Sequence, residues 1–459
     1  APNPPPMAFT HHHLVTDAGG LETYFQATGW VVAVSGGLDS MCLLHALTLL
    51  QQDHHCPPMR VLHINHSLQS QADQWQQDVE NKCQNYGLNC ISHKVVLCPQ
   101  ELRELGVEAA ARNARYSVFK EHVQLGEVLL LGQHADDQTE TLFLRLLRGA
   151  GVAGLRAMPQ ERLLGLGRLV RPMLHVRQID LYDYAKHHHL SWCEDPSNQN
   201  THFDRNYLRN QVMPRLRHRW PALDQRAATV TALMSDTQAL LDEVGAADFI
   251  LMRKETNIGE CLPCADVTAL SRPRRHNLLR YWLAQNQVPM PDYALLRGID
   301  KDFLRSAPDA QPYLKLGDNW CLRRNQGHLL LMQQTEQPSG TVTSGAFTME
   351  LQTILQGSVA LPEGVLCLNH GAKVGLALVV GDVIEWRFRT GGERCKPMGR
   401  MHSQSLKKLL QEAKVPAWER DYIPLFYVNG RLAMVAHLWI NSGFETDLGT
   451  PAWCWQRAT

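Results

Sequence analysis

Residues 31–40 read Val31-Val32-Ala33-Val34-Ser35-Gly36-Gly37-Leu38-Asp39-Ser40, and this stretch decides the fold. The apolar run from Trp30 to Val34 reads as a buried parallel strand, and Met41 to Leu50 as an apolar helix. A strand that breaks into a Gly-rich turn and then opens a helix is an anion site. The glycines let backbone N–H groups converge on phosphate oxygens, and the helix dipole adds to them. Ser35 and Ser40 supply hydroxyl donors, and Asp39 can hold a Mg²⁺ that bridges phosphates. No Lys stands where a Walker A loop needs one, so this is a different phosphate loop. A Gly-rich turn with an Asp/Ser helix cap has the same composition, but these flanks are the ones that phosphate binding requires.

Outward from that loop, residues 30 to about 215 alternate short apolar runs with amphipathic stretches. Val31–Val34, Arg60–Asn65, Asn89–Val96 and Val128–Gly132 read as strands. Met41–Leu50, Ala72–Tyr86, Ala109–Val123 and Asp136–Leu147 read as helices. This pattern predicts a doubly wound α/β domain with a parallel sheet, whose ligands bind at the carboxyl ends of the strands. From about 220 to 335 the chain turns mainly helical, with Ala222–Leu251 and Arg272–Gln285 as helices and short strands within Tyr313–Met332. Gln333 to Ser344 reads as a linker. Beyond it, Lys373–Val380, Val383–Phe388, Leu425–Val428 and Leu432–Trp439 read as strands around a helix from Ser405 to Ala413, a small α+β module. The expected organisation is a disordered tail over 1–25, a catalytic domain over 26–218, a mainly helical substrate-binding domain over 219–335 and a C-terminal α+β domain over 345–459.

A chain of 459 residues is too long for one core. Its formal net charge is zero, so only local basic clusters can argue for nucleic acid. Twelve Cys without framework spacing suit reduced thiols and a cytoplasmic protein. Cys261 and Cys264 form the sole CxxC, a weak metal signal without a second pair. The His runs 11–13 and 187–189 read as solvated surface. The N-terminal stretch lacks the basic segment and apolar run of a signal peptide, and no stretch reaches the roughly 20 apolar residues of a membrane span.

A second constellation follows the fourth strand: Gly132-Gln133-His134-Ala135-Asp136-Asp137-Gln138-Thr139-Glu140-Thr141. Asp136 and Glu140 share a helix face at i,i+4, with Asp137 beside them. Three carboxylates in one turn can bind Mg²⁺, receive an ammonium or act as a base, although the dipole favours acidic first turns anyway. Arg112 and Arg115 are i,i+3 on a helix and can clamp a phosphate.

Ser35-Gly-Gly-Leu-Asp-Ser40 resembles the signature of the PP-loop (N-type) ATP pyrophosphatases, which cleave ATP between the α and β phosphates. The ordered set is more specific. It comprises that loop, His63-Ile64-Asn65-His66, Glu108…Arg112…Arg115-Tyr116, His134 to Thr141, Arg148-Gly-Ala-Gly151, Arg171-Pro-Met-Leu174, Trp192-Cys-Glu-Asp195-Pro-Ser197-Asn198 and Arg205-Asn-Tyr-Leu-Arg209. This set resembles the tRNA(Ile)-lysidine synthetase family across the whole N-terminal domain. Arg387-Phe-Arg389 through Pro424 resembles its C-terminal tRNA-binding domain, with Glu393 where the family tends to Asp; the middle region matches loosely.

The resemblance implies adenylation of the C2 oxygen of the wobble cytidine (position 34) in a CAU-anticodon isoleucine tRNA. The ε-amino group of L-lysine then attacks C2 and expels AMP. It implies Asp39, Asp137 and Arg205 as catalytic, with Asp39 and Asp137 on Mg²⁺. ATP would be held by Ala33, Ser35, Gly36, Gly37, Leu38, Asp39, Ser40, Ile64, Arg115, Gly132 and His134. Lysine and tRNA would be held by Arg112, Asp136, Glu140 and Arg209, and by the C-terminal basic residues Arg394, Lys396, Arg400, Lys407 and Lys408. The split of roles among Asp136, Asp137 and Glu140 stays open, as does a homodimer. Arg209, Arg215, Arg217 and Arg219, just past the catalytic domain, and the C-terminal cluster with Lys414 and Trp418 nearby are the local basic clusters an RNA partner needs. Two rivals remain: a PP-loop tRNA thiolase, for which Cys83, Cys90, Cys98 and Cys193 are the positional candidates, and a non-catalytic tRNA-binding protein, which the intact acidic set opposes.

Overall fold

The computed structural model describes residues 8–16, 19–66, 71–256, 259–289, 291–307, 310–317, 319–333, 344–361, 364–369, 375–446 and 451–457. The chain divides into two compact units, Ala1–Val244 and Gly245–Thr459. The division falls inside the long Leu223–Met252 helix, so the first unit takes in the start of that helix beyond residue 218.

The first unit is built on six strands, β1 Gly29–Ala33, β2 Met59–Asn65, β3 Asn89–Lys94, β4 Glu127–Leu131, β5 Glu161–Leu164 and β6 Gly167–Val170. Their order is β3-β2-β1-β4-β6-β5, parallel except for the β5–β6 hairpin. Alternation divides β1 between two cores. Trp30, Val32 and Val34 pack with the Leu38–Asp53 and Gln178–His187 helices on one face. Val31, with Leu62, Leu129 and Leu131, packs against Val118 and Phe119 of the Val107–His122 helix on the other. Burial on both faces is why these strands read as continuous apolar runs. The four expected strands and four expected helices are all present, with ends shifted by a few residues. The hairpin is not announced by the sequence: β5 is exposed over three of its four residues and shows no apolar run.

The disorder expected over 1–25 is corrected for the described part of that stretch. His11–Leu14 and Leu21–Tyr24 are short 3₁₀ helices, and Phe9, Leu14 and Leu21 are buried in the same core as Trp30. Three apolar side chains among Pro and His residues make too short a pattern to reveal this packing.

In the second unit, the helices Arg272–Gln285 and Tyr293–Ile299 pack around Trp282. They lie with a five-stranded antiparallel sheet that includes the expected strands at 313–333 and adds Lys254–Thr256 and Gly259–Pro263. Nearly all of the Gln333–Ser344 linker lies outside the described residues. The C-terminal part carries a five-stranded antiparallel sheet, a three-stranded sheet and a two-stranded ribbon, with the helix Leu406–Glu412. Val383–Arg387, Leu425–Val428 and Arg431–Val435 match expected strands. The described part of Lys373–Val380 is not a strand; it forms isolated bridges at Leu376, whose side chain is buried in the core with Trp386 and Trp453.

Candidate active site

The phosphate loop is held by its own hydroxyls. Ser40 Oγ donates to the Gly37 carbonyl at 3.0 Å and accepts from the Ser35 N–H at 3.2 Å. Gly36 has φ +91°, a conformation that side chains avoid, so the turn requires glycine there. The Cys193 N–H donates to the Gly36 carbonyl at 2.9 Å, tying the Trp192–Asn198 motif to the loop. A Cβ on Gly132 would come within 3.1 Å of the Asp39 backbone, so glycine there lets the end of β4 approach the start of the Leu38–Asp53 helix. Ile64 sits near the carboxyl end of β2, where His63 Nδ1 lies 2.8 Å from the Val34 carbonyl. Ala33, the loop residues 35–40, Ile64, Gly132 and His134 therefore gather at one end of the sheet, as the strand–turn–helix reading requires.

His134 stands directly before the Ala135–Leu147 helix with its imidazole among three carboxylates. Nε2 is 3.4 Å from Asp39 Oδ2 and 3.5 Å from Asp137 Oδ2, and Nδ1 is 3.7 Å from Asp136 Oδ2. Burial pushes its pKa down, but Asp137, Asp39 and Asp136 outweigh that and hold it at about 9. The imidazole is therefore charged at neutral pH. For Asp137, burial pushes the pKa up, but His134, Arg205 and Arg209 prevail and hold it below the usual carboxylate range.

Two arginines from the Arg205–Arg209 motif close the site. Arg209 meets Glu140 at 2.7 Å and Asp137 at 2.8 Å; Arg205 meets both at 3.2 Å. Glu140 is 1% exposed, so these guanidiniums are the compensation for its buried charge. Arg217 reaches Asp136 at 2.7 Å and grips Asp224 at 2.9 Å, while Thr139 donates to Asp224 at 2.7 Å. The Gln178 N–H fills the other oxygen of Asp136 at 2.8 Å.

These contacts revise one expectation. Arg209 and Arg217 are not an open RNA-facing cluster; they neutralise the three carboxylates of the helix. Arg217 and Asp224 belong to this site, yet nothing in their spacing ties them to residues eighty positions earlier, so sequence reasoning misses them. The signal available is the acidic helix itself, whose buried charges demand cationic partners from elsewhere. In this network four cations, His134, Arg205, Arg209 and Arg217, face five carboxylates, Asp39, Asp136, Asp137, Glu140 and Asp224. One negative charge is left over, and Asp39 Oδ1 is a buried oxygen without a hydrogen-bond partner. The donor set thus fits a hard divalent cation at Asp39. Asp137 can join it only beside the imidazolium that lies between the two residues.

Arg112 and Arg115 lie on the Val107–His122 helix and are exposed. Far along the sequence, Arg394, Lys396, Arg400, Lys407 and Lys408 are exposed in the second unit, but Arg400 is paired with Glu412 at 2.6 Å. Trp418 is stacked by Arg323, 4.7 Å from its ring. Among the thiolase candidates, burial, then Asp78, pushes the Cys193 pKa up, and a hydrogen bond to Cys90, then burial, pushes Cys83 up, while that same hydrogen bond brings Cys90 down. Among the described residues no third metal-binding side chain gathers with Cys261 and Cys264. The His/Asp group close enough for a metal is His11, His12 and Asp53, in the part of the first unit opposite the loop end of the Leu38–Asp53 helix. No helix among the described residues is long and apolar enough to cross a membrane.

Three family descriptions match in chain order: a PP-loop domain over residues 10–216, a TilS substrate binding domain over 262–330 and a TilS substrate C-terminal domain over 384–456. A tRNA(Ile)-lysidine synthase of Coxiella burnetii is 36% identical over 427 residues, 93% of this chain and 92% of the relative. One of Pseudomonas putida is 38% identical over 424 residues, 91% of this chain and 94% of the relative. A crystal structure of the TilS C-terminal domain is 21% identical, covering 25% of this chain and 98% of that chain, with a TM-score of 0.20. With near full-length identity above a third and all three regions in order around an intact phosphate loop, the chain belongs to the tRNA(Ile)-lysidine synthase family, PP-loop ATP-dependent ligases of tRNA modification.

Proposed function

We propose that the chain uses ATP to adenylate the C2 oxygen of the wobble cytidine in a CAU-anticodon isoleucine tRNA, and then joins L-lysine through its ε-amino group. In the first step the C2 oxygen bonds to the α-phosphorus and pyrophosphate leaves. In the second the amine nitrogen bonds to C2, the C2–oxygen bond breaks, AMP leaves and the nitrogen gives up a proton. The observation that carries this reading is the juxtaposition of the Ser35–Ser40 loop with the network of His134, Asp136, Asp137 and Glu140 at one sheet end.

The loop N–H groups and the hydroxyls of Ser35 and Ser40 receive the phosphates. Asp39, with Asp137, would hold Mg²⁺, which neutralises developing phosphate charge when bound. The His134 imidazolium, with Arg205 and Arg209, keeps Asp137 ionised. Glu140 and Asp136 offer the negative field that attracts the lysine ammonium. Since both Glu140 oxygens already meet guanidiniums, lysine reaches it by displacing one of them. Arg205, freed by that exchange, faces the α-phosphate whose charge grows as AMP leaves. Ionised Asp137 would accept the amine proton. In the second unit, exposed Arg394, Lys396, Lys407 and Lys408 position the tRNA through its phosphates. We place the enzyme in the cytoplasm. The test is lysine- and tRNA-dependent release of AMP, with the modified nucleoside identified by mass. Product that requires a sulfur donor instead of lysine would overturn the reading.

A further inference from the structure

We propose that Arg112, Arg162 and Arg171, gathered around Tyr116 at the edge of the catalytic site, form a docking site for a backbone phosphate of the RNA substrate. The proposal rests on the functional reading above; it adds Arg162 and Arg171 to Arg112, which the resemblance already gave to the substrates.

Three chain segments converge here. The Arg112 guanidinium lies 5.0 Å from the centre of the Tyr116 ring and that of Arg162 lies 4.7 Å from it. Arg171, 2% exposed, points a nitrogen at the Tyr116 hydroxyl at 3.4 Å. Its other donors go to the Pro159 carbonyl at 2.7 Å and to the Gln133 side chain. All three acceptors of Arg171 are neutral. Among the described residues no carboxylate pairs with Arg112, Arg162 or Arg171; the nearby Glu161 is taken by Arg168.

The neighbouring network differs in one respect that matters. Arg205, Arg209 and Arg217 each carry carboxylate partners, so their charge is spent inside the protein. Around Tyr116 the positive charge is uncompensated. Burial, then Arg162 and Arg112, pulls the Arg171 pKa down against the support of Tyr116. Burial pushes the Tyr116 pKa up, yet Arg112, Arg171 and Arg162 together bring it below its ordinary value. Arg145, on the helix that carries the acidic set, is also pulled down by burial, then by Arg112 and Arg156. Several guanidiniums that destabilise one another's charge, two of them exposed, form a site that an anion relieves. Stacking on an aromatic ring fixes guanidinium planes for bidentate recognition of phosphate.

Position selects RNA over ATP. The nucleotide loop follows β1. Arg171 follows β6 and Arg162 lies on β5, two and three strands away across β4. At a strand spacing near 4.8 Å these are about 10 and 14 Å from β1. Gln133, which Arg171 holds, directly precedes His134. A phosphate bound here therefore sits beside the reacting centre, two to three strands from the loop that follows β1. Such a contact fixes the register of the strand without reading its sequence.

The test uses the full chain and a CAU-anticodon isoleucine tRNA. Arg112→Ala with Arg162→Ala removes the two exposed guanidiniums and leaves buried Arg171 in place. Affinity for the tRNA should fall by about tenfold at low salt, and the log affinity against log salt slope should flatten by about 0.7, the value for one phosphate on a single strand. Arg112→Lys with Arg162→Lys should restore the slope, and KM for ATP should not change in either variant. Unchanged tRNA affinity and slope would overturn the site. So would a raised KM for ATP with tRNA binding intact, which would give the phosphate to the nucleotide. A wild-type chain that fails to bind this tRNA would overturn the functional reading itself, and this site with it.

Discussion

Replacing His134 with glutamine removes a buried imidazolium from among Asp39, Asp136 and Asp137, the groups proposed to run the chemistry. The size of the effect follows from its environment. The pKa stands at about 9 against an ordinary 6.5, because the three carboxylates outweigh the desolvation that opposes them. A pKa unit is worth about 1.4 kcal/mol, so the folded state gains on the order of 3 kcal/mol from holding that proton. The sign follows from the direction of the shift. A raised folded pKa gives stability fully present below pH 6.5 and lost as pH rises through 9. For a unit of this size each kcal/mol moves Tm by about 2–4 °C. Wild type should therefore melt higher than His134→Gln in mildly acidic buffer by roughly 6–12 °C, and the gap should shrink steadily toward pH 9. Thermal unfolding of both proteins across that range measures the difference, and an imidazole NMR titration, assigned by the resonance missing in the variant, measures the pKa directly. A gap that stays constant or widens as pH rises, or a titration at or below 6.5, would refute the carboxylate cage as the source of the charge.

Asp39→Ala should keep the fold and abolish tRNA-dependent AMP formation, since a metal-held charge is worth several kcal/mol, roughly a thousandfold or more in rate; near-normal turnover would sink the Mg²⁺ assignment. Glu140→Gln strands two guanidiniums on Asp137 alone and should lower Tm while raising KM for lysine more than KM for ATP; equal changes in both KM values would remove its lysine role. Asp224→Asn should weaken Arg217's hold on Asp136 and lower kcat with little change in KM for ATP, and Asp224→Glu should recover part of it; an unchanged kcat would leave that ion pair purely structural. Lys407→Glu with Lys408→Glu in the full chain should weaken tRNA binding and flatten its salt dependence without touching ATP binding, and an unchanged slope would remove the second unit from RNA positioning.

What the sequence determined by itself is local. A buried strand must be apolar along its length, and a turn at φ +91° must be glycine, so Trp30 to Ser40 could announce both the parallel sheet and the phosphate loop. The acidic turn at Asp136, Asp137 and Glu140 was equally legible, because three charges spaced within one helical turn define a face wherever the helix goes. The ordered motifs then placed the family. Partners were not legible. Which cation answers Glu140, and that Arg217 serves Asp136 and Asp224 instead of RNA, depends on segments that meet only after the sheet forms. The same holds for Phe9, Leu14 and Leu21, three isolated apolar residues whose burial exists only once the core beneath β1 does. Arginine looks alike in sequence whether its charge is spent on a buried carboxylate or left open to a phosphate. Tertiary packing separates the two, because burying a carboxylate requires a cation beside it, while the ring of Tyr116 holds guanidiniums and leaves their charge unanswered.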